Sequence, residues 1–375
     1  MELTNIRLGD YIERSTINNK ELKYGVDLIV GVNSQGVFAA PKGNTDGVDL
    51  KPYKIVENGA FVYNPTRLEL GSIAYRTEGL CIVSHLYMVF YLTDEGKKII
   101  DPMWLYIYFR RSEFCREVKF RNFGSQRPEF NFNDMSDIVI PLPDIEIQKK
   151  YVDIYNAMLE NQKSYEYGLE DLKLACDAYI EDLKHGIHCK AIGPYVERHD
   201  VRNRTNEIKN VMGVSTSKEF REPTSKVNRN ELSNYKIVRP RQISFVQTTH
   251  NEKVFAYAFN NTEDDIVVTS VNEVFSVDED KLLPEYLCMF FNRTEFDRYA
   301  RFHSWGSARE TFTWDDLVKV EIPIADMKTQ KSIADIYKAY KERKAINEKL
   351  KEQIKDICPI LIKGSIEEAR KAKEA

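Results

Sequence analysis

The sequence predicts an α/β (α+β) protein built from two copies of one unit, each a globular domain followed by a long helix. Three observations support this prediction. Residues 141–183 have a composition that favours helix. The sequence at the start of that helix occurs a second time near the C-terminus. Short segments of strand-forming residues precede both of these helix starts. We therefore expect domains at residues 1–143 and 187–325, followed by helices at residues 144–186 and 326–375.

An internal duplication defines the unit. The stretch from Pro141 to Ala157 recurs from Pro323 to Ala339 at a constant shift of 182 residues. The same shift relates the YKIV segments that begin at Tyr53 and Tyr235. It also relates Gly124, Ser125 and Arg127 to Gly306, Ser307 and Arg309. The repeated unit is therefore larger than a helix.

Each domain begins with predicted strands and continues with a predicted helix. In the first domain, YKIVENGAFVY and LCIVSHLYMVFYL are rich in β-branched and aromatic residues, which is typical of strands. The segment PMWLYIYFRRSEFCREV predicts one helix, and NFNDMSDIVIPLP predicts a turn and a last strand. The second domain repeats this order, with LPEYLCMFFNRTEFDRYARF as its helix.

Both long helices carry apolar stripes. Pro143 ends the preceding segment, and Asp144 is expected to cap the first helix. The stripes contain Val152, Tyr155, Leu159, Leu169, Leu172, Cys176, Tyr179 and Leu183, and then Ile346, Leu350, Ile354, Ile357 and Leu361. Each stripe could pack on its own domain, but mutual packing is favoured because each helix continues beyond what one domain could cover. We expect an antiparallel coiled coil with pseudo-twofold symmetry, and we expect Pro359 to kink or end the second helix.

Composition and charge limit the possible classes of protein. The chain has 375 residues, of which 42% are hydrophobic, so it can form two domains with cores. Its net charge is -4, from 54 basic and 58 acidic residues, and bulk charge alone does not support nucleic-acid binding. There is no membrane-length apolar run, no N-terminal signal and no metal-binding cysteine spacing, so a reducing cytoplasm is expected. Cys176 and Cys358 hold equivalent helix positions and are expected to pack as small apolar residues.

The layout and several segments resemble a known family. IPLPDIEIQKKYVDIY, its weaker copy IPIADMKTQKSIADIY, GSQRPEFNFNDMSDIVIPLP and FVYNPTRLELGSIAY are similar to segments of the specificity subunit (HsdS family) of type I restriction-modification systems. The resemblance covers nearly the whole chain. It implies two target recognition domains, each recognising one half of a bipartite, asymmetric DNA target. Ala325, which stands where the first copy has Pro143, and the interruption expected at Pro359 depart from the pattern.

The resemblance also implies partner subunits. Modification subunits would bind S-adenosylmethionine and methylate adenine, and restriction subunits would use ATP and Mg²⁺ to translocate and cut DNA. This chain would hold no cofactor or metal itself and would not associate with a membrane. The starts of the long helices are expected to dock the modification subunits through Asp144, Gln148, Tyr155, Asp326, Gln330 and Tyr337.

Helix geometry gives the gap between the two half-sites a physical basis. About forty helical residues at about 1.5 Å each form a rod of roughly 60 Å, comparable to about 18 base pairs of DNA. If the helices are antiparallel, the two domains lie at opposite ends of the rod and face DNA in opposite strand orientations. We expect the rod to set the distance between the half-sites.

No catalytic site is predicted in this chain. An adenine methyltransferase needs a Gly-rich cofactor loop and an Asn/Asp-Pro-Pro-aromatic site, and YNPT at residues 63–66 lacks the second proline and the aromatic residue. A metal-dependent nuclease built on Asp144, Glu146 and Lys149 is disfavoured because the second copy replaces one acid with lysine. The segment HGIHC at residues 185–189 has no fourth metal ligand and is expected to be a linker.

DNA contact is therefore assigned to basic and amide side chains. Arg and Gln can form bidentate hydrogen bonds with base edges, and Lys and Arg neutralise phosphates. The leading candidates are Arg67, Arg121, Gln126, Arg127, Lys218, Arg221, Arg241, Gln247, Arg301 and Arg309. The wider set adds Arg110, Arg111, Arg116, Lys119, Lys226, Arg229, Arg239 and Arg298, interleaved with Phe120, Phe123, His303 and Trp305. The alternative for any one of them is a solvated surface charge.

Recurrence separates scaffold residues from residues that recognise bases. Arg127 and Arg309 occupy equivalent positions, so we expect them to serve the shared scaffold or to bind phosphates. Base-specific residues are expected where the copies differ, around residues 35–44 and 64–69 in the first domain and 217–229 and 247–253 in the second.

The sequence thus predicts a non-catalytic DNA specificity subunit of a type I restriction-modification complex. Two alternatives remain open. The chain could be the specificity subunit of a type IIB-like system, in which one partner both methylates and cuts, or a free-standing DNA-binding coiled-coil adaptor. An adaptor should bind DNA tightly alone, whereas a specificity subunit would bind weakly until assembled.

Overall fold

The computed structural model describes residues 3–41, 43–122, 129–248, 254–304 and 310–374. The chain forms two compact units. The first consists of Met1–Ser164 with Asn347–Ala375, and the second of Tyr165–Ile346. Each unit therefore holds one globular domain together with part of each long helix.

The first unit is a mixed domain of short strands and helices. Its strands are β1 (Thr4–Arg7), β2 (Ile12–Ser15), β3 (Gly31–Val32), β4 (Phe38–Ala39), β5 (Lys54–Val56), β6 (Phe61–Tyr63), β7 (Ile73–Tyr75), β8 (Cys81–Val83), β9 (Met88–Leu92) and β10 (Val139–Leu142). Its helices are α1 (Asp94–Ile99), α2 (Pro102–Phe109), α3 (Ser112–Arg121), α4 (Phe132–Ser136) and the first part of α5 (Ile145–Gly186).

A four-stranded antiparallel sheet in the order β2-β9-β6-β7 forms the centre of this domain. Phe61 in β6 lies opposite Phe90 in β9, and their rings stack at 5.0 Å. Trp104 and Phe109 of α2 are fully buried in the same core. The pair β1·β10 then joins the start of the domain to the strand before α5. Phe61 and Phe90 therefore face α2, where both rings meet Phe109 edge-on.

The second unit repeats these elements. Its strands are β11 (Cys189–Ala191), β12 (Val196–His199), β13 (Gly213–Val214), β14 (Phe220–Arg221), β15 (Lys236–Val238), β16 (Ile243–Val246), β17 (Tyr257–Phe259), β18 (Ile266–Val268), β19 (Asn272–Val277) and β20 (Glu321–Pro323). Its helices are α6 (Pro284–Phe291), α7 (Thr294–Phe302), α8 (Trp314–Leu317) and the first part of α9 (Met327–Glu374). The sheet order β12-β19-β16-β17 and the pairs β11·β20, β13·β14 and β15·β18 match the first unit, so the predicted duplication is confirmed.

The single helix predicted after each set of strands is two helices. In the first unit, α2 ends before Arg110 and α3 begins after Arg111, whose backbone is extended with ψ 145°. The Arg111 guanidinium lies 3.7 Å from the centre of the Tyr108 ring and donates to the Tyr108 carbonyl at 3.0 Å. The break lets Phe114 of α3 reach the core already filled by α2.

The two long helices pack antiparallel in each unit. In the first unit, Lys150 of α5 pairs with Glu368 of α9 at 2.9 Å. Further along α5, the Gln162 amide donates to Asn347 at 2.9 Å. The residue numbers rise along α5 as they fall along α9, which confirms the predicted direction.

The second unit shows the same packing with different residues. The Arg343 guanidinium of α9 lies 5.6 Å from the centre of the Tyr165 ring of α5. Cys176 and Ile180 of α5 share a core cluster with Tyr337 of α9. That cluster also contains the domain's aromatic residues, so both expected modes of packing occur: each helix packs on its domain and on the other helix.

Two residues predicted in the apolar stripes are wrong, and so is the expectation that Pro359 ends the second helix. Pro359 lies inside α9, and Cys358 and Leu361 on either side of it are buried in the first unit's core. A kink at Pro359, the other expected effect, stays a prediction. Tyr179 and Ile346 were expected in the apolar stripes but are 51% and 42% exposed. The adjacent residues Ile180 and Asn347 are buried instead. Ile180 packs in the second unit's core, and Asn347 accepts a hydrogen bond from Gln162 of α5, so tertiary contacts set the buried face of each helix more strongly than the regular spacing does.

A buried glutamine ties each long helix to its domain. The Gln148 side chain is fully buried, accepts from the Asp101 amide at 2.8 Å, and donates to the carbonyls of Ile99 at 2.8 Å and Pro143 at 2.7 Å. Its oxygen and both of its amide hydrogens are therefore satisfied by backbone groups, two from residues 99–101 before α2 and one from Pro143 after β10.

Gln330 repeats this arrangement. It accepts from the Leu283 amide at 2.9 Å and donates to the carbonyls of Lys281 and Ala325, both at 2.8 Å. Asp144 and Asp326 cap the two helices through their carboxylates, which accept from the Glu146 amide at 3.1 Å and from the Lys328 amide at 3.0 Å.

The cysteines of the long helices pack as predicted. Cys176 and Cys358 are buried among apolar residues, and burial raises the pKa of the Cys358 thiol to about 11. In the part of the chain that the structure describes, we find no helix whose length and apolar character would let it cross a membrane.

We predict that Gln148→Ala and Gln330→Ala each lower the free energy of unfolding by about 2–4 kcal/mol, because three buried backbone groups lose their partners. Urea unfolding followed by circular dichroism measures this. Lys149→Ala, which removes only an exposed pair with Glu146, is the control and should change stability by less than about 0.5 kcal/mol. Equal stability of Gln148→Ala and Lys149→Ala would contradict the assigned role.

Gln148→Glu adds a pH test of the same contact. A carboxylate at this position would face the oxygens of Ile99 and Pro143, so the buried acid should stay protonated, with its pKa raised above the unfolded value. The difference in free energy of unfolding between the variant and wild type should then be smallest below about pH 4, where the acid is protonated in both states. The variant should lose stability relative to wild type as pH rises towards and through the raised pKa. A stability difference that does not change with pH would contradict this geometry.

Candidate DNA interface

In the first unit, the two segments predicted to recognise bases lie next to each other. The Arg110 guanidinium donates to the Gly71 carbonyl at 2.5 Å and to the Ser34 carbonyl at 3.4 Å. The Tyr106 hydroxyl donates to the Gly36 carbonyl at 3.1 Å. The end of α2 therefore holds the loop near residue 35 and the loop that follows Arg67 together. The Arg110 guanidinium is therefore engaged in hydrogen bonds within the domain.

Arg67 projects from this pair of loops. The preceding turn is fixed by Asn64, whose side chain accepts from the amide and the hydroxyl of Thr66 at 3.1 and 2.9 Å. Arg67 is exposed, and within the described ranges its guanidinium has no hydrogen-bond or ion-pair partner. Its charge is therefore available to a ligand.

The second unit anchors the equivalent loop in a different way. Lys218 stands where the first unit has Gly36, and Asn292 stands where it has Arg110. Lys218 is 8% exposed, and its ammonium donates to the Phe291 carbonyl at 2.7 Å and pairs with Asp297 at 2.8 Å. Burial lowers the pKa of Lys218, and Asp297 opposes this shift. The cation that links the loop to the helix end is thus Arg110 of the helix end in the first unit and Lys218 of the loop in the second.

Lys218 was predicted to contact DNA, but its ammonium lies inside the second unit. Arg241 is also engaged. Its guanidinium pairs with Glu279 at 2.6 Å and with Glu285 at 2.5 Å, and these carboxylates raise its pKa. Neither charge is free for a ligand in this structure.

Gln247 belongs to a charged network around a buried acid. Glu273 has a side chain that is only 4% exposed, and it accepts from Arg198 at 2.8 and 2.7 Å. The Lys236 ammonium lies 3.6 Å from the same carboxylate, and the Gln247 amide also donates to it. The predicted base contact of Gln247 is thus replaced by an internal hydrogen bond.

The first unit has the same cations without the acid. Tyr63 lies opposite Met88 in the sheet, whereas the equivalent Phe245 lies opposite Glu273. Arg14 and Lys54 correspond to Arg198 and Lys236. Within the described ranges no carboxylate pairs with either of them.

The Lys54 ammonium donates to the Tyr87 carbonyl at 2.5 Å, and burial together with nearby Arg14 lowers its pKa. Arg14 is exposed and was not among the predicted contacts. Its recurrence as Arg198 is visible in the sequence, but only the strand register shows that Met88, and not an acid, stands where the second unit has Glu273.

The remaining predicted DNA contacts differ in how free they are. Arg121 pairs with Glu117 at 2.8 Å within α3. Arg221 at the end of β14 and Arg301 in the last turn of α7 are exposed, and neither guanidinium has a partner in the described part of the chain. Gln126, Arg127 and Arg309 lie outside the described residues.

The predicted docking residues at the helix starts are mostly internal. Gln148 and Gln330 are fully buried, and Tyr155 and Tyr337 are 4% and 9% exposed. These side chains are committed to their own unit and do not face a partner. Only Asp144 and Asp326, the helix caps, have accessible side chains.

Comparison with known proteins places this geometry in a family. The family model described as "Type I restriction modification DNA specificity domain" matches the chain twice, at residues 2–166 and 194–356. The chain belongs to this family of specificity domains. No curated protein sequence matches it.

Three solved structures are similar to this chain, and the two with the higher TM-scores share its fold. The type I restriction-modification system S subunit from M. genitalium matches 98% of this chain and 96% of its own, with 10% identity and a TM-score of 0.60. A chain from a structural study of complex assembly and conformational transition of the type I R-M system matches 97% of both chains, with 15% identity and a TM-score of 0.50. The HsdS subunit from Thermoanaerobacter tengcongensis matches 97% of this chain and 96% of its own, with 15% identity and a TM-score of 0.40.

For each specificity domain, the structure separates free cations from engaged ones. Among the leading candidates, the charges of Arg67, Arg221 and Arg301 remain available, and Arg14 and Lys119 of the first domain join them. Arg110, Lys218 and Arg241 hold loops and turns in place. Substitution of a free cation and of an engaged cation should therefore change the free energy of unfolding by different amounts.

We predict that Arg67→Ala and Arg221→Ala change the free energy of unfolding by less than about 0.5 kcal/mol, because neither guanidinium pairs with any of the residues that the structure describes. Arg241→Ala, the matched variant, should cost about 1 kcal/mol or more, because Glu279 and Glu285 lose their shared cation. Thermal or urea unfolding of the purified chain measures all three. A loss of stability in Arg67→Ala as large as in Arg241→Ala would contradict this division.

Proposed function

We propose that this chain is the DNA sequence-specificity subunit of a type I restriction-modification complex. In this proposal each globular domain recognises one half of a bipartite, asymmetric target. The chain performs no chemistry itself and directs partner subunits. The observation that carries the proposal is that the specificity-domain family matches the chain twice, on two copies of one fold that expose different cations.

The differences between the copies support recognition of different bases. The loop anchored by Arg110 in the first unit is anchored by Lys218 in the second. Glu273 neutralises cations whose counterparts in the first unit pair with no carboxylate among the residues that the structure describes. One scaffold thus presents different charge patterns. Arg67 and Arg14 are the proposed base-recognition contacts of the first domain, and Arg221 is that of the second. Arg301 corresponds to Lys119 of the first domain, so it does not distinguish the two copies.

The proposal includes partners that supply the chemistry. Modification subunits would bind S-adenosylmethionine and methylate adenine, and restriction subunits would use ATP and Mg²⁺ for translocation and cleavage. Asp144 and Asp326, accessible at the helix starts, are the proposed docking contacts for modification subunits. Helices α5 and α9 would set the gap between the half-sites. The compartment proposed is the cytoplasm.

Methylome sequencing tests the proposal. A host that carries this chain and its neighbouring methyltransferase genes should show adenine methylation at a split motif, and deletion of this chain should remove that methylation. Arg67→Ala and Arg221→Ala should each lower methylation at the motif, because each removes a contact from one half-site and each such contact contributes about 1–3 kcal/mol. Arg241→Ala restored to wild-type protein levels serves as the control. Methylation that persists at an unchanged motif after deletion of the chain would refute the proposal.

A further inference from the structure

Two phenylalanines at equivalent positions are almost fully exposed. Phe120 at the end of α3 is 81% exposed, and Phe302 at the end of α7 is 80% exposed. They are related by the 182-residue shift of the duplication. Phe114 and Phe296, six positions earlier, are related in the same way and are buried in the two cores. Core packing therefore explains the earlier pair and does not explain the later one.

Free or weakly held cations flank both exposed rings. Lys119 and Arg301 immediately precede them, and neither has a hydrogen-bond or ion-pair partner within the described ranges. Arg116 and Arg298 lie one turn earlier on the same helix face and make only exposed pairs, at 3.4 Å with Glu113 and 3.2 Å with Glu295. Each ring therefore stands beside two accessible positive charges.

The combination of one apolar ring with surrounding cations favours a nucleic-acid ligand. The core of a protein interface is a contiguous apolar patch from which charged residues are depleted, and here charged residues surround a single ring. Duplex DNA offers both complements, because phosphates accept the cations and the sugar and base surfaces of a groove accept an apolar side chain. Charge complementarity thus points to DNA.

Recurrence indicates what kind of DNA contact this is. The exposed ring and its preceding cation are kept in both copies, whereas the free cations of the loops differ between them. A contact shared by two domains that recognise different half-sites cannot depend on the bases of either one.

We propose that Phe120 and Phe302 are sequence-independent DNA contacts, one in each half-site, whose rings enter a groove while Lys119 and Arg301 bind the adjoining phosphates. This inference rests on the proposed function and adds the surface that holds each domain on DNA regardless of sequence. The ring supplies apolar contact, and the cation supplies the part of binding that depends on salt.

Equilibrium binding by the complex assembled with modification subunits tests the proposal, with target and non-target duplexes at several salt concentrations. Phe120→Ala and Phe302→Ala should each weaken binding roughly ten- to hundredfold, since the burial of an aromatic side chain is lost. The loss should be equal for target and non-target DNA, and the salt dependence should not change. Lys119→Ala and Arg301→Ala should instead lower the slope of log affinity against log salt by about 1.

Matched variants control for exposure and folding. Leu86→Ala and Val271→Ala remove other apolar side chains, 66% and 69% exposed, that have no adjacent lysine or arginine, and they should leave binding unchanged. Phe120→Tyr keeps the ring and should retain most of the affinity. Circular dichroism of each variant should match wild type.

Three results would overturn the proposal. An unchanged DNA affinity in both Phe120→Ala and Phe302→Ala would show that the rings do not contact DNA. A loss confined to target DNA would make the contact base-specific. Weaker assembly with modification subunits, combined with normal DNA binding once assembled, would make the rings a protein docking surface. If instead the wild-type complex binds the methylated motif no more tightly than other DNA, the proposed function fails. That failure is distinguishable from failure of the phenylalanine contact, because the affinity of the alanine variants for non-target DNA can still be compared with that of wild type.

Discussion

A buried glutamine side chain at the start of each long helix is the constraint on which the rest of the structure depends. Gln148 and Gln330 each join three segments: the region before α2 or α6, the strand end that precedes the long helix, and the helix itself. A glutamine has one acceptor and two donors that can meet one amide and two carbonyls at once. Within each unit, the direction of the helix relative to its domain is therefore fixed by hydrogen bonds as well as by apolar packing.

That shared frame allows the surface to differ between the copies. Both units link a loop to a helix end through a cation. In the first unit that cation is Arg110 of the helix, and the equivalent position in the second unit is Asn292. In the second unit it is Lys218 of the loop, and the equivalent position in the first unit is Gly36. The exchange of Met88 for Glu273 leaves the sheet register intact and reverses the local charge balance. A duplicated scaffold can in this way hold two different patterns of cations without a change of fold.

The sequence was sufficient for the duplication, the order of strands, the helix caps and the antiparallel helices, because these depend on periodicity and on short local signals. It was not sufficient to separate free cations from engaged ones. Arg221 and Arg241 look alike in the sequence, but Arg241 meets Glu279 and Glu285, which lie far along the chain. Gln148 was expected to dock a partner because it recurs, whereas its recurrence reflects an internal role. The register that places Met88 or Glu273 beside a cation pair also follows from tertiary structure alone.

The most direct test of this account is an exchange of one domain. Residues 187–325 would be replaced with the corresponding domain of a specificity subunit that has a different target, and the methylome of the host would be sequenced. One half of the split motif should change, while the other half and the gap should stay the same. A motif that stays the same in both halves, or that changes in both, would contradict the assignment of one half-site to each domain.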